Sequence, residues 1–475
     1  MIIKTKEDGI LSYLEDSSNF IIGEAQKVYL PETEEEVLEI VREAKSKKIP
    51  LTISGAGTGT VGGRIPEDGA VISLERMNRI LSIDEKGMRS TLQSGVIIEE
   101  FLGALKMQNL FYPPFPTERT ACIGGNVATN ASGEYSYRFG STRKYVEKMK
   151  VVLSTERILQ LERGKYYAEK DGMIHSPHLK IKIPSYRSPE IKSTAGYFSH
   201  PGMDLIDLFI GSEGTLGVIT EVEVRLTNSL PPRFIIIIFL SKDEKILPLL
   251  EEIERDQRLI IFSLEYFDDN SLKFLMKDFP TIPSCDGAIY IEQEYRENSL
   301  DVWMELLEEY SVVDSWIGES ERDYKRLVEF RHKLPENINE YFREIKESKI
   351  SIDIAVPQSH FGEFFNFYRR VTRDSPVEYV IFGHIGENHL HLNFFPKNTK
   401  EKEQVNRIYT EAVTRAVQAR GTVSAEHGIG KLKHKYLEMM YGKRGIMEMV
   451  RVKKEIDPFC IFGLNNIFPK ELLNQ

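Results

Sequence analysis

The sequence predicts a water-soluble globular protein of mixed helices and strands that folds as two or three domains. At about 150 residues per domain, a chain of 475 residues has room for that number. Its 41% hydrophobic and 28% charged residues are typical of such proteins, and helix-like and strand-like segments alternate along its N-terminal half. A net charge of −10 argues against nucleic acid as a partner.

Three widely separated cysteines, Cys122, Cys285 and Cys460, predict neither a disulfide framework nor a four-thiolate iron–sulfur site. Electrons from any redox reaction would therefore leave through a separate partner. The first 20 residues lack the apolar core of a signal peptide, and the longest apolar run, 234–240, is too short to span a bilayer. We expect a cytoplasmic protein, with peripheral attachment to the inner membrane as the alternative.

The first elements of the chain lead into a glycine-rich loop. Residues 33–46 predict a helix, because Pro31 and several glutamates stand at its start. Residues 49–53 predict a strand, and residues 54–63 (SGAGTGTVGG) follow it with five glycines in ten positions. Glycine permits the positive φ angles that let successive N–H groups converge on a phosphate. The spacing matches neither the Walker lysine loop nor the Rossmann fingerprint.

Two further clusters of small residues occur in the same half. Residues 121–133 (ACIGGNVATNASG) follow the proline-rich segment 112–117 and would let the backbone lie flat against a large planar ligand. Residues 210–220 (IGSEGTLGVIT) precede a predicted strand at 221–226. Each cluster alone could be a turn, but three together favour a bound dinucleotide.

The most informative segments are 383–393 (GHIGENHLHLN) and 424–431 (SAEHGIGK). Residues 378–384 and 390–395 predict two strands around a turn, and this hairpin would bring His384 and His391 opposite each other. Strand alternation places His389, His391 and Asn393 on one face, so geometry alone does not choose between the two histidines.

Two imidazoles and the carboxylate of Glu426 suit a divalent metal with an open coordination position, and the adjacent His427 could serve as a base. The alternative is that these histidines only form hydrogen bonds in polar loops. Four of the ten histidines fall in the two segments, which favours the metal site.

These five motifs together closely resemble the FAD-linked 2-hydroxyacid dehydrogenases, which include D-lactate dehydrogenases, glycolate oxidase flavin subunits and D-2-hydroxyglutarate dehydrogenases within the vanillyl-alcohol oxidase class of flavoproteins. The resemblance runs from Pro31 to Lys470. It implies an α+β fold with a two-part FAD-binding domain at 1–228 and a substrate cap with an antiparallel sheet at 229–422, after the linker at Pro231-Pro232. A C-terminal segment with helical character, 423–475, would return to the flavin.

The resemblance also implies roles for individual residues. The first glycine loop would hold the FAD pyrophosphate, the second cluster would run beside the cofactor, and Ile219 would meet it through its backbone. The implied cofactor-binding residues are Ser54, Gly55, Ala56, Gly57, Thr58, Gly59, Gly124, Gly125, Asn126, Asn130 and Ile219. Some relatives tether the flavin through a histidine in this region, but the first histidine of this chain is His175, so we expect non-covalent FAD.

At the metal site, the resemblance assigns His384, His391 and Glu426 as ligands and His427 as the catalytic base. Zinc or manganese would fit this set. Where relatives commonly have Asp-Gly-Asn, this chain has Glu387-Asn388-His389, so His389 is an alternative ligand or a partner of one. The common C-terminal Asn-Pro-Gly-Lys is also altered, beginning at Asn465.

Arg331 aligns with an arginine that binds the substrate carboxylate, and a guanidinium can hold both carboxylate oxygens. The alternative is an arginine on a solvated, charged helix face. Asn393 is the second predicted substrate-binding residue. Ser351 stands where the hydroxyglutarate enzymes carry a lysine, so we expect a small, lactate-like substrate.

The predicted reaction is oxidation of a D-2-hydroxy acid to the 2-oxo acid, in which His427 accepts the hydroxyl proton and hydride passes to flavin N5. The predicted electron acceptor is an electron-transfer flavoprotein, a quinone or an iron–sulfur protein, and the chain could form a homodimer.

Two alternatives to this function remain open. One is a metal-free enzyme of the alkylglycerone-phosphate synthase-like branch, although its run of three histidines is absent here. The other is a non-catalytic subunit of a glycolate oxidase-like complex.

Overall fold

A computed structural model of the protein describes residues 1–18, 20–345, 349–373 and 375–475. The described residues form two compact units. Unit 1 contains Met1–Gly133, Gly140–Ser229 and Val423–Gln475, and unit 2 contains Glu134–Phe139 and Leu230–Thr422.

Short strands dominate the chain as far as residue 229. The strands are β1 (Ile2–Thr5), β2 (Lys27–Leu30), β3 (Leu51–Ser54), β4 (Ala70–Ser73), β5 (Ile80–Asp84), β6 (Arg89–Gln93), β7 (Leu110–Phe111), β8 (Val146–Val152), β9 (Ile158–Glu162), β10 (Met173–His175), β11 (Lys180–Lys182), β12 (Val218–Arg225) and β13 (Thr227–Asn228). The helices are α1 (Glu34–Lys47), α2 (Ile98–Lys106), α3 (Ile123–Thr129), α4 (Ser136–Phe139) and α5 (Ile206–Phe209).

From residue 230 onward the elements are longer. The strands are β14 (Arg233–Leu240), β15 (Ile261–Asp268), β16 (Gly287–Glu294), β17 (Val312–Gly318), β18 (Ile350–Ala355), β19 (Tyr379–Gly383) and β20 (His389–Phe394). The helices are α6 (Ile246–Arg255), α7 (Asp269–Leu275), α8 (Ser299–Leu307), α9 (Glu321–Ile345), α10 (Gln358–Arg373), α11 (Thr399–Gln418) and α12 (His434–Ile456).

Unit 1 contains two main sheets. The first has the order β1-β2-β4-β3, with β2, β4 and β3 parallel and β1 antiparallel. The second is antiparallel, in the order β5-β6-β12-β8-β9. Two small pairs, β10-β11 and β13-β7, complete the strands of this unit.

Helix α1 begins where the sequence predicts. Thr33 is its N-cap and accepts a hydrogen bond from Glu36 N, while Glu34, Glu35 and Glu36 occupy the first turn, where the helix dipole favours negative charge. Lys48 ends the helix in the left-handed conformation. The predicted helix at 33–46 is confirmed with a shift of about one residue.

The outer side of β3 pairs with the C-terminal tail. Leu51 N donates to Ile461 O at 2.7 Å, and Gly463 N donates to Leu51 O at 2.9 Å. Leu51, Ile461 and Phe462 lie in one hydrophobic core cluster with buried residues of β2 and α1. Residues 461–463 therefore form a bridge along the outer edge of the sheet from which the glycine loop begins.

Unit 2 is built on one seven-stranded antiparallel sheet in the order β17-β14-β16-β15-β19-β20-β18. Its core packs Phe239, Phe267 and Tyr290 of the sheet with Phe330 and Leu334 of α9. The short α4 contacts β15. The predicted α+β class, the antiparallel sheet of the cap and the C-terminal helix are confirmed.

Candidate active site

The predicted hairpin is present as β19 and β20, joined by a single turn of 3₁₀ helix. Its register places His391 opposite Phe382, so the prediction that His384 and His391 face each other directly is wrong. His384 instead follows the end of β19 and caps the turn. Gly383 has a φ of +116°, and a Cβ there would lie 2.9 Å from His391 Cδ2, so glycine permits the close approach of this ring.

Three histidines of this hairpin form a cluster. The ring centroids of His384 and His389 lie 5.3 Å apart, those of His384 and His391 5.6 Å, and those of His389 and His391 4.6 Å. One ring nitrogen from each histidine lies within 4.8 Å of the others. His389 and His391 share one face of β20, as alternation predicts, so the structure keeps both near His384. This donor set suits a divalent metal.

Two buried carboxylates stand beside these rings. Glu265 Oε1 is 3.0 Å from His384 Nδ1 and accepts its hydrogen bond. Asp353 Oδ1 is 3.0 Å from His389 Nε2, and both side chains are fully buried. Burial alone would raise the pKa of Glu265, but the positive charge of Arg331 and the contact with His384 hold that pKa well below its usual range. Glu265 is therefore an anion at neutral pH.

Arg331 lies inside unit 2 rather than on a solvated helix face, because its side chain is only 10% exposed. That alternative is wrong. Its Nε and Nη2 donate to Glu265 Oε1 at 3.2 and 2.8 Å, and its Nη1 lies 3.7 Å from Glu134 Oε2. Two carboxylates thus neutralise the guanidinium, and several of its five N–H groups are left for another acceptor.

Asn393 lies on β20, two residues beyond His391, and is buried. Its Oδ1 is buried, and no described residue provides it with a hydrogen-bond donor. This amide can therefore accept from, or donate to, a small polar ligand. Its neighbour across the sheet is Ser351 on β18, and β18 carries no lysine within its bounds.

Glu426 and His427 belong to unit 1, in the turn before α12. Lys192 Nζ lies 2.9 Å from Glu426 Oε2, and its side chain is 5% exposed. Thr194 accepts from Gly428 N and so joins the segment that carries Lys192 to this turn. The residues around Glu426 are held in place by buried polar contacts.

The same turn is tied to the third small-residue cluster. Glu213, in the left-handed region at a φ of +51°, accepts from Ile429 N at 2.8 Å and Gly430 N at 2.6 Å. Ser424 Oγ donates to Gly428 O at 2.8 Å. One carboxylate therefore connects the glycine-rich segment before β12 to the loop after His427.

The predicted cofactor loop begins at Ser54, the last residue of β3, and its other residues lie outside any helix or strand. Gly57 has a φ of +84°, and a Cβ on Gly55 would lie 2.6 Å from Cys122 Sγ. The remaining predicted residues of this loop are Ser54, Ala56, Thr58 and Gly59. A side chain at Gly55 would collide with Cys122 of the second cluster, and one at Gly57 would collide with Arg64, so the loop requires glycine at both positions.

The second cluster is not flat, contrary to the prediction. Residues 123–129 form α3, and Asn130 ends it in the left-handed conformation. A Cβ on Gly124 would lie 2.5 Å from Ser94 Cβ, so α3 packs closely against the residue that follows β6. Asn126 is buried, and its Nδ2 has no hydrogen-bond partner among the described residues. This orphaned donor fits a polar cofactor that lies against the cluster. Gly125 lies on the same helix, and Ile219 lies on β12.

Several residues near these sites carried no signal in the sequence. They are Glu265, Asp353, Lys192 and Arg64, the last of which places Nη1 within 1.7 Å of the position of a Cβ on Gly57. Glu265, Asp353 and Lys192 stand in ordinary segments outside the motifs whose residues they contact, and Arg64 directly follows the glycine loop. An isolated charged residue in a predicted strand or loop gives no spacing pattern.

Comparison with known proteins agrees with this arrangement. A family described as the FAD binding domain matches residues 25–162, and a family described as FAD linked oxidases, C-terminal domain, matches residues 235–463. Alkyldihydroxyacetonephosphate synthase has a similar fold, with a TM-score of 0.67 over 97% of this chain and 81% of that one at 17% identity. In residues 1–18, 20–345, 349–373 and 375–475, no helix is both long and apolar enough to cross a membrane.

Relatives match along almost the whole chain. A D-lactate dehydrogenase of Anaerostipes hadrus is 30% identical over 94% of this chain and 90% of its own length. The glycolate oxidase subunit GlcD of Bacillus subtilis is 28% identical over 98% and 93%, and a D-2-hydroxyglutarate dehydrogenase of Xanthomonas citri is 28% identical over 93% and 89%. With both FAD-linked domains matched and the predicted motifs in order, the chain belongs to the FAD-linked 2-hydroxyacid dehydrogenase family and is an FAD-dependent oxidoreductase.

Proposed function

We propose that this protein oxidises a small D-2-hydroxy acid, such as D-lactate, to the 2-oxo acid and passes the electrons to a separate acceptor. The observation that carries the proposal is the three-histidine cluster beside the buried arginine Arg331 in unit 2. Imidazoles provide metal ligands, and a guanidinium provides a partner for a substrate carboxylate. The combination suits a 2-hydroxy acid, which presents a hydroxyl and a carboxylate on neighbouring carbons.

FAD, when bound, would supply a hydride acceptor, and a zinc or manganese ion would supply Lewis-acid chemistry that amino acids lack. Residues 54–59, with Gly124, Gly125, Asn126, Asn130 and Ile219, would hold FAD without a covalent bond. His384 and His391 would be metal ligands, and the sequence motif assigns Glu426 to the same role.

Side chains of the protein would accept the proton and bind the substrate. His427 would accept the hydroxyl proton at a ring nitrogen. Arg331 would hold the carboxylate through N–H groups that Glu265 does not use, and Asn393 would bond the substrate hydroxyl or carboxylate. Because Ser351 stands where the hydroxyglutarate enzymes carry a lysine, we propose a substrate with one carboxylate, which Arg331 would bind.

Anaerobic bleaching of the flavin spectrum tests this proposal. The purified protein would be mixed with D- and L-lactate, glycolate, D-2-hydroxybutyrate and D-2-hydroxyglutarate, with bound metal measured in parallel. We expect one metal per flavin and faster bleaching by D-lactate than by L-lactate or D-2-hydroxyglutarate. Bound flavin without metal would favour the metal-free branch, and failure of every acid to bleach the flavin would favour a non-catalytic subunit.

A further inference from the structure

We propose that Glu265 is a positioning residue that orders the metal ligand His384 and the substrate arginine Arg331 through one carboxylate oxygen. The inference rests on the proposed function and deepens it. None of the sequence motifs includes Glu265, which stands in the strand segment IFSLEYFD.

The contacts converge on a single atom. Glu265 Oε1 accepts from Arg331 Nε at 3.2 Å, from Arg331 Nη2 at 2.8 Å and from His384 Nδ1 at 3.0 Å. Ser263 Oγ, on the same face of the strand, donates to it at 3.1 Å. Three side chains that stem from β15, α9 and the end of β19 are therefore fixed relative to one another.

The backbone of Glu265 is held by neighbouring strands on both sides. β15 pairs with β16 on one side and with β19 on the other, so Glu265 lies within the interior of the seven-stranded sheet. Its side chain is only 4% exposed. A carboxylate held in this way loses little further entropy when it orients its partners.

Glu265 also determines which nitrogen of His384 can bind a metal. An ionised carboxylate only accepts hydrogen bonds, so the proton of a neutral His384 stays on Nδ1. Nε2 then carries the lone pair that a metal ligand needs. A ring rotated by half a turn, or the other tautomer, would lose the bond to Glu265.

The same carboxylate directs Arg331. It takes Nε–H and one N–H of Nη2, which leaves N–H groups on Nη1 and Nη2 for a substrate carboxylate. Because one oxygen serves both partners, a change at Glu265 should alter metal binding and substrate binding together. A residue that only supports the fold would alter neither selectively.

A neighbouring carboxylate provides a matched control. Glu292, on β16, is equally buried and accepts from Arg233 Nε at 2.7 Å and from the hydroxyls of Tyr324 at 2.6 Å and Tyr135 at 2.8 Å. It resembles Glu265 in burial, in its arginine partner and in its place in the sheet. Among the described residues, no histidine donates a hydrogen bond to Glu292.

The test compares Glu265→Gln with Glu292→Gln in the full-length, FAD-loaded protein. Affinities for Zn²⁺ and Mn²⁺ would be measured by competition with a chromogenic chelator, with KM and kcat for the best acid and the melting temperature alongside. We expect Glu265→Gln to weaken metal binding by about 10- to 100-fold, the range for loss of a partner of a ligating histidine, and to raise KM. Glu292→Gln should lower the melting temperature with wild-type metal affinity and KM.

Glu265→Gln leaves Arg331 buried with one carboxylate fewer, so the variant could fail to fold. The double variant Glu265→Gln/Arg331→Met removes the stranded cation and should still bind metal about 10- to 100-fold more weakly than Arg331→Met alone. Equal metal affinity in those two proteins, or wild-type affinity and KM in Glu265→Gln, would overturn the inference while the proposed function stands. A wild-type protein that binds neither metal would overturn the metal role in the proposed function, and this inference with it.

Discussion

His427 and Glu426 are adjacent residues to which we assign different chemistry. Glu426 lies beside the ammonium group of Lys192, whereas His427 Nε2 lies 3.7 Å from Glu426 Oε1 and its side chain is more exposed. A carboxylate that lies beside a cation is suited to bind a metal ion, and a more exposed imidazole is suited to accept a proton. The two assignments can be separated by substitution.

His427→Asn keeps a polar side chain but removes the proton acceptor. We expect FAD and metal to remain bound while flavin reduction slows by roughly 10²- to 10⁴-fold, the usual contribution of a general base. Single-turnover bleaching under anaerobic conditions, with metal content determined on the same samples, measures both properties. Bleaching at the wild-type rate would make His427 a bystander, and loss of the metal would make it a ligand.

The hairpin offers a second comparison, between His384 and His389. We expect His384→Ala to lose the metal and keep the yellow flavin, because it removes a proposed ligand. His389→Asn introduces the residue that relatives commonly carry there, and it should retain metal. Metal analysis after gel filtration distinguishes the variants. If His389→Asn alone lost its metal, His389 would replace His384 in the ligand set.

For individual residues, the sequence predicted the histidines of the motifs but not the residues that form hydrogen bonds with them. Glu265 lies 119 residues before His384 and 66 before Arg331, and a single glutamate in an apolar strand has no distinguishing pattern. Arg331 shows the same limit, since its charge-rich surroundings are compatible with a solvated face or with a buried ion pair. Only the fold brings the partners together.

Among the elements, local signals were reliable where capping or turn chemistry is strong. The Thr33 cap and early glutamates located α1, and the turn between His384 and His389 located the hairpin. The second small-residue cluster was expected to lie flat against a ligand, because its glycines, alanines and asparagines gave no sign of the helix at Ile123–Thr129. Packing of Gly124 against Ser94 instead makes a short helix possible there.

Helix α1 is joined to β2 by Glu43, which gives a pH-dependent prediction. Glu43 accepts from Lys27 at 2.8 Å, from Tyr29 at 2.7 Å and from Lys47 at 3.0 Å, and the hydrogen bond from Lys27 is the largest cause of a pKa lowered from 4.5 to about 2. A lowered folded-state pKa stabilises the protein fully above pH 4.5, and that stabilisation is lost as the pH falls toward 2.

Glu43→Gln should therefore be less stable than the wild type at pH 7, and the difference should shrink as the pH falls below 4.5. Urea unfolding across this range measures the difference. Glu39→Gln changes an exposed residue of the same helix and should have the same free energy of unfolding as the wild type across this pH range. A Glu43→Gln deficit that stayed constant with pH would show that packing, not charge, is responsible.

For the molecule as a whole, FAD should act as a folding ligand. At a free FAD concentration 100 times Kd, the protein should gain about 2.7 kcal/mol of stability over the apoprotein. Riboflavin lacks the pyrophosphate that residues 54–59 are proposed to hold, so the same concentration should raise the melting temperature much less. Thermal unfolding of the apoprotein with each compound measures this. Equal shifts would contradict a pyrophosphate site in the glycine loop.

The pairing of Leu51 with Ile461 and Gly463 has a consequence for synthesis of the protein on the ribosome. The strand that leads into the glycine loop leaves the ribosome long before residues 461–463, which follow it by most of the length of the chain. The nascent chain therefore cannot form this pairing until Gly463 has been translated. Premature termination before Ile461 would leave the outer edge of β3 without this partner.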